Sequence, residues 1–87
     1  MEEKLLSMLG IARRAGRLIM GYDAAAEAMQ KGECRLLVLA NDLSERTKRN
    51  IISIAESTLT DTAYADYGME VIGKAIGRKQ TGIIAIS

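Results

Sequence analysis

The run Leu36-Leu37-Val38-Leu39-Ala40-Asn41-Asp42 decides the fold. Five consecutive apolar residues without alternation match a strand covered on both faces, and Asn41-Asp42 ends it with turn-forming side chains. Such a strand sits in the middle of a sheet, so helices are required above and below it. Upstream, Tyr22, Ala25 and Met29 at i, i+3 and i+7 predict a helix over 22–31 that stops at Gly32. Downstream, Ser44 is a cap residue for a helix ending near Glu56. Its inward stripe is Thr47, Ile51, Ile54 and Ala55, while Glu45, Arg46, Lys48, Arg49 and Ser53 face mostly outward.

Further out, residues 3–15 carry Leu5, Leu9 and Ala12 at helical spacing, with Glu2 and Glu3 at the start and Arg13 and Arg14 in the last turn. Gly16 suits the left-handed residue that closes such a helix. Residues 17–20 read as a short strand and 60–64 as a Thr-rich one. Asp66 is a cap candidate for a helix carrying Met69, Ile72 and Ile76 and stopped by Gly77, and 81–86 form a last apolar strand. The alternation of helix and strand predicts an α/β protein, a three-layer α/β/α sandwich with a four-stranded mixed sheet. Leu37, Val38 and Leu39 should be central, with Leu5, Leu9, Met29, Ile51, Ile72 and Ile84 packed against the sheet. Met8, Met20, Met29 and Met69 read as core filler.

The length of 87 residues suits one domain over 1–87, and 48% apolar with 26% charged residues is a globular balance. A lone Cys34 cannot form an internal disulfide, and without a partner it reads as neither nucleophile nor ligand. No apolar run approaches the ~20 residues that span a bilayer, and no charged segment leads into a long apolar one. A cytoplasmic monomer without membrane contact is therefore expected. The chain has no His, the side chain best suited to proton transfer near neutral pH, and no phosphate-loop pattern. An enzyme built on Asp42 thus has little support, and no cofactor or metal is expected.

The net charge of +1 is low for an RNA-binding domain, so local clustering must carry that reading. Arg13, Arg14 and Arg17 place three guanidinium groups around a helix end, which suits phosphate contacts; the alternative is dipole compensation. Gly21, between strand and helix, exposes the free N–H groups of a helix start to a phosphate or base edge, or is simply a turn. Asn41 and Asp42 lie beyond a strand's carboxyl end, where ligands collect in open α/β sheets, or they launch the next helix. Arg78 and Lys79 form a second basic site behind Gly73-Lys74-Ala75-Ile76-Gly77, whose glycines suit close packing. Tyr64 and Tyr67 could each stack on an unpaired base or pack in the core.

With these residues in hand, the chain resembles the ribosomal protein family that recognises kink-turn RNA, the archaeal L-seven-Ae and eukaryotic L-thirty-e group, and within it the small bacterial YlxQ-like members. The anchors are Leu9-Gly10-Ile11-Ala12-Arg13-Arg14-Ala15-Gly16-Arg17-Leu18, then Gly21, Leu37-Val38-Leu39-Ala40-Asn41-Asp42-Leu43-Ser44, and Ile72-Gly73-Lys74-Ala75-Ile76-Gly77-Arg78-Lys79. The resemblance implies the same sandwich and a non-enzymatic RNA-binding protein, ribosome- or translation-associated. Its partners would be ribosomal or other structured RNA, with ribosomal proteins as neighbours. Contact would run through the helix start after Gly21 and the loops after the second and third strands. The family follows that Gly with a variable residue, then Asn-Glu, then a Lys three residues after the Glu. Here Tyr22 is the variable residue, Asp23 replaces Asn, Ala24 replaces Glu and Glu27 replaces Lys, and the loop before the last helix lacks the family's Val-Pro. A carboxylate cannot donate to a guanine acceptor and repels phosphate, so altered recognition is expected. The alternative is a protein-interaction module that has kept the fold and lost RNA recognition.

Overall fold

The computed structural model describes residues 2–87. The chain alternates α1 (Glu2–Arg14), β1 (Leu18–Met20), α2 (Tyr22–Gln30), β2 (Leu36–Leu39), α3 (Glu45–Ser57), β3 (Asp61–Tyr64), α4 (Met69–Ala75) and β4 (Ile83–Ile86). The side chains of Glu2 and Glu3, read as complementing the α1 dipole, lie outside the described residues. The strands form one mixed sheet in the order β1-β4-β2-β3. β2 and β3 are parallel, while β4 runs antiparallel to both β1 and β2. Strands β1, β2 and β3 therefore point the same way, and their carboxyl ends share one edge of the sheet with the start of β4.

Period-two alternation divides the sheet between two cores. Leu37, Leu39, Ile83 and Ala85 face α2 and α3, where Met29, Ile51 and Ala55 meet them. Val38 and Ile84, paired in register, face the other way onto Leu9 of α1, Ile72 of α4 and Ile76 at the C-cap of α4. This is the expected sandwich, with β2 interior as the unbroken apolar run requires. Leu5 packs partly buried against the second core. Met8 departs from the reading as core filler: it is 38% exposed on the outer side of α1.

Two helix ends differ from the sequence reading. The N-cap of α4 is Gly68, two residues beyond Asp66. At the end of α3, the backbone turns at Leu59 with φ of 57°. The Thr60 N–H reaches back to the Ala55 carbonyl at 2.8 Å, and the Leu59 N–H to that of Glu56 at 3.3 Å. This left-handed closure normally takes Gly, because a Cβ there crowds the carbonyl. Leu59 is also 92% exposed, so no burial offsets the strain.

Leu59→Gly should relieve about 1 kcal/mol and raise the thermal midpoint by about 4–8 °C, as a melting curve would read out. Val38→Asp places an unpaired charge at the buried centre and should abolish the cooperative transition; a variant that still melts cooperatively would refute this placement of β2.

Candidate nucleic-acid interface

Gly21 closes β1 and opens α2 at φ 99° and ψ 161°, a conformation that side-chain-bearing residues rarely adopt. Its N–H donates to the Ile83 carbonyl at 2.9 Å, and its own carbonyl accepts from the Ala25 N–H at 3.0 Å. No side chain of this N-cap covers the amides that follow, so the positive end of α2 faces outward. Tyr22 is half-buried beside it, while Asp23, Ala24 and Glu27 are exposed along α2. Glu27 forms an ion pair with Lys31 at 2.7 Å. The hydrogen bond and charge of Lys31 hold the Glu27 carboxyl below the usual glutamate range, and the pairing raises the Lys31 ammonium.

The ends of β2 and β3 meet the start of α4. The Asn41 N–H donates to the Tyr67 carbonyl at 2.9 Å. The Asp42 carboxylate accepts from the Met69 N–H at 3.0 Å, so it serves the first turn of α4 across 27 positions of sequence. Gly68 makes this approach possible: a Cβ there would lie 2.7 Å from Asp42 Oδ2. The sequence leaves Asp42 either at a ligand site or launching the next helix. That launch falls instead to Ser44, whose Oγ accepts from the Thr47 N–H at 3.2 Å.

The second basic segment is held by a glycine. Arg78 donates its N–H to the Gly73 carbonyl at 2.7 Å, and a Cβ on Gly73 would stand 2.8 Å from the Lys79 carbonyl. The 78–79 backbone therefore lies flat on α4 and projects both cations from its rim. Gly77, at φ 76°, closes α4, and the Arg13 guanidinium rests 3.0 Å from where its Cβ would be.

Together these elements enclose an open groove. Its walls are Gly21, Tyr22, Arg78 and Lys79, and its floor includes Leu43 and Met69. Its described lining contains no acid. A helix N-terminus and two cations can hold an anionic backbone there, while the apolar floor accepts a planar ring.

Sequence reasoning missed Leu43 and had Met69 only as core. The signal was Gly82, where a Cβ would meet Leu43 Cδ2 at 2.6 Å and Met69 Cγ at 2.7 Å. The structure does not gather all the expected residues. Arg17 lies at the far end of β1 from Gly21, its carbonyl accepting from the Ser87 N–H at 3.0 Å and hydroxyl at 3.3 Å. Arg14 lines a separate groove with Arg13, between α1 and α4. Tyr67 packs in the core, whereas Tyr64 is 58% exposed with the Lys48 ammonium 5.8 Å above its ring. Burial raises the Cys34 thiol pKa, which disfavours a nucleophilic thiolate. Among the described residues no His/Cys/Asp/Glu cluster could hold a metal ion, and no helix is long and apolar enough to cross a membrane.

A mixed α/β/α sandwich with a cation-rimmed groove at the sheet edge defines the class. The model of the ribosomal protein L7Ae/L30e/S12e/Gadd45 family matches residues 3–87, and the chain belongs to that family. It is similar to an RNA-binding protein YlxQ of Enterococcus faecium, 33% identical over 49 residues. That match covers 56% of this chain and 48% of the relative, so it spans about half the relative's length. A solved structure from Bacillus halodurans, described as a protein with unknown function, superposes with a TM-score of 0.87 at 28% identity. The superposition covers 93% of this chain and 81% of that one.

Asp42→Ala should remove the long-range cap without touching the sheet, costing about 1 kcal/mol and lowering the thermal midpoint by about 4–8 °C. An unchanged midpoint would show that the Asp42–Met69 contact contributes nothing.

Proposed function

We propose that residues 1–87 act as one non-enzymatic RNA-binding domain, docking a structured RNA on the sheet edge in a ribosome- or translation-associated setting. The observation that carries this reading is the groove, in which the start of α2 and the Arg78–Lys79 rim converge over an apolar floor without an acid in its described lining. Membership of a family named for ribosomal proteins and the name of the Enterococcus relative support it. In this reading Gly21 and Tyr22 meet a phosphate or base, Arg78 and Lys79 hold the backbone, and Tyr64 offers a stacking face. Asn41 and Asp42 shape the edge through α4. Arg13 extends the cationic rim past Gly77, and Arg14 and Arg17 supply more distant charge.

Recognition on α2 is altered from that of kink-turn binders. Asp23 presents a carboxylate where an amide donor is expected, Ala24 removes an acceptor, and Glu27 has its charge taken up by Lys31. A protein-interaction module is the second reading, favoured by the exposed Ile11 and Val71.

Titration of a kink-turn duplex and an unrelated hairpin over a salt series separates these readings. Arg78→Ala with Lys79→Ala should weaken both RNAs and flatten the log–log salt slope by about 0.7–0.9 per lost phosphate contact. Asp23→Asn, Ala24→Glu and Glu27→Lys combined should strengthen the kink-turn duplex far more than the hairpin, each base contact being worth about 1–3 kcal/mol. Equal gains on both RNAs would mean that only positive charge was added. Parent protein that binds neither RNA would leave the protein-interaction reading.

A further inference from the structure

One glycine has no role inside the fold. Of the eight glycines, seven either hold a positive φ or have a neighbour within 3.0 Å of where a Cβ would stand. Gly10 alone has neither: it lies inside α1 with nothing within 4 Å of an added Cβ. Gly is the poorest helix former after Pro, and a Cβ would fit this position without collision. The fold would be more stable without it.

Its surroundings say what the missing side chain leaves room for. Gly10 lies with Ser7, Ile11 and Ala75 in a groove between α1 and α4, and Arg13 and Arg14 stand on the rim. Neither arginine has an acidic partner among the described residues. Ile11 is 59% exposed beside them, an apolar face next to two guanidinium groups. The Arg13 guanidinium also lies against Gly77, one residue before Arg78. The cationic rim is thus continuous from the sheet-edge groove to this one.

We propose that the Gly10 groove is a second contact surface for RNA, receiving a phosphodiester backbone between Arg13 and Arg14 while Ile11 meets the sugar face. Charge complementarity selects a polyanion over an apolar partner, and the absent side chain lets a backbone approach the helix closely. The proposal rests on the RNA-binding reading of the sheet edge and adds a separate surface to it.

The test uses Gly10→Leu, which fills the groove without changing charge, beside Arg78→Ala/Lys79→Ala, on a hairpin RNA with an extended stem. Gly10→Leu should raise the thermal midpoint by about 4 °C or more, yet weaken RNA binding at least tenfold and flatten the salt slope. Arg14→Ala should flatten the slope by about 0.7–0.9 units. Undiminished affinity and slope in Gly10→Leu, with the Arg78/Lys79 variant weakened, would overturn this surface alone and leave the sheet-edge reading standing. A change in sedimentation of Gly10→Leu without RNA would assign the groove to a second copy of the chain and overturn the proposal. Parent protein that binds no RNA would overturn both.

Discussion

Three consecutive backbone units hold the sheet edge together. The Thr81 N–H donates to the Met69 carbonyl at 3.1 Å, the Gly82 carbonyl accepts from the Ala40 N–H at 2.8 Å, and the Ile83 carbonyl accepts from the Gly21 N–H at 2.9 Å. The entry to β4 thereby ties down the start of α4, the end of β2 and the end of β1. These bonds exist because β4 inserts between β1 and β2 against their direction, bringing its amino end to their carboxyl ends. A buried backbone group left unpaired here would cost about 1–3 kcal/mol, so the three anchor points are not free to drift apart. The position of each wall of the groove follows from this short segment, and Gly82 lets Leu43 and Met69 close over it.

Much of this was legible because the relevant signals are local. The unbroken run 36–40 placed β2 in the interior, and Gly16, Gly32 and Gly77 marked helix ends with positive φ. The two-core arrangement then follows from strand alternation alone. What was not legible depends on proximity in space. Asp42 reaches an amide 27 positions away, and nothing within its own loop signals that. Leu59 occupies a conformation for which its chemistry is unsuited, so a search for Gly or Asn at the end of α3 passes over it. The two tyrosines, three residues apart, separate into a packed Tyr67 and an exposed Tyr64 because one lies on an edge strand and the other beneath the turn into α4.

The basic residues show the same division more sharply. Arg13, Arg14 and Arg17 are neighbours in sequence, yet the helix end sends Arg13 toward Gly77 while the strand carries Gly21 away from Arg17. Three strand residues span about 10 Å, comparable to the Debye length at physiological salt. Charges at the two ends of β1 are therefore screened from each other. Sequence clustering gave no sign that Arg13, which shares a groove with Arg14, also lies against Gly77 at the head of the Arg78–Lys79 segment.

A net charge of +1 does not describe what a ligand meets at this surface. Glu27 is paired with Lys31 and Glu70 with Lys74 in exposed i,i+4 bridges. Bridges of this kind add little to stability. Their consequence is local: each sets an acid beside a cation on its own helix, while the described lining of the sheet-edge groove holds Arg78 and Lys79 without an acid. Because the field of such charges decays within about 8 Å at physiological salt, the residues lining each groove govern an approaching polyanion more than the total charge does. On the RNA-binding reading proposed above, charge alone attracts any nucleic acid, so discrimination falls to the α2 face, where Asp23, Ala24 and the Lys31-bound Glu27 set the donors and acceptors on offer to a base.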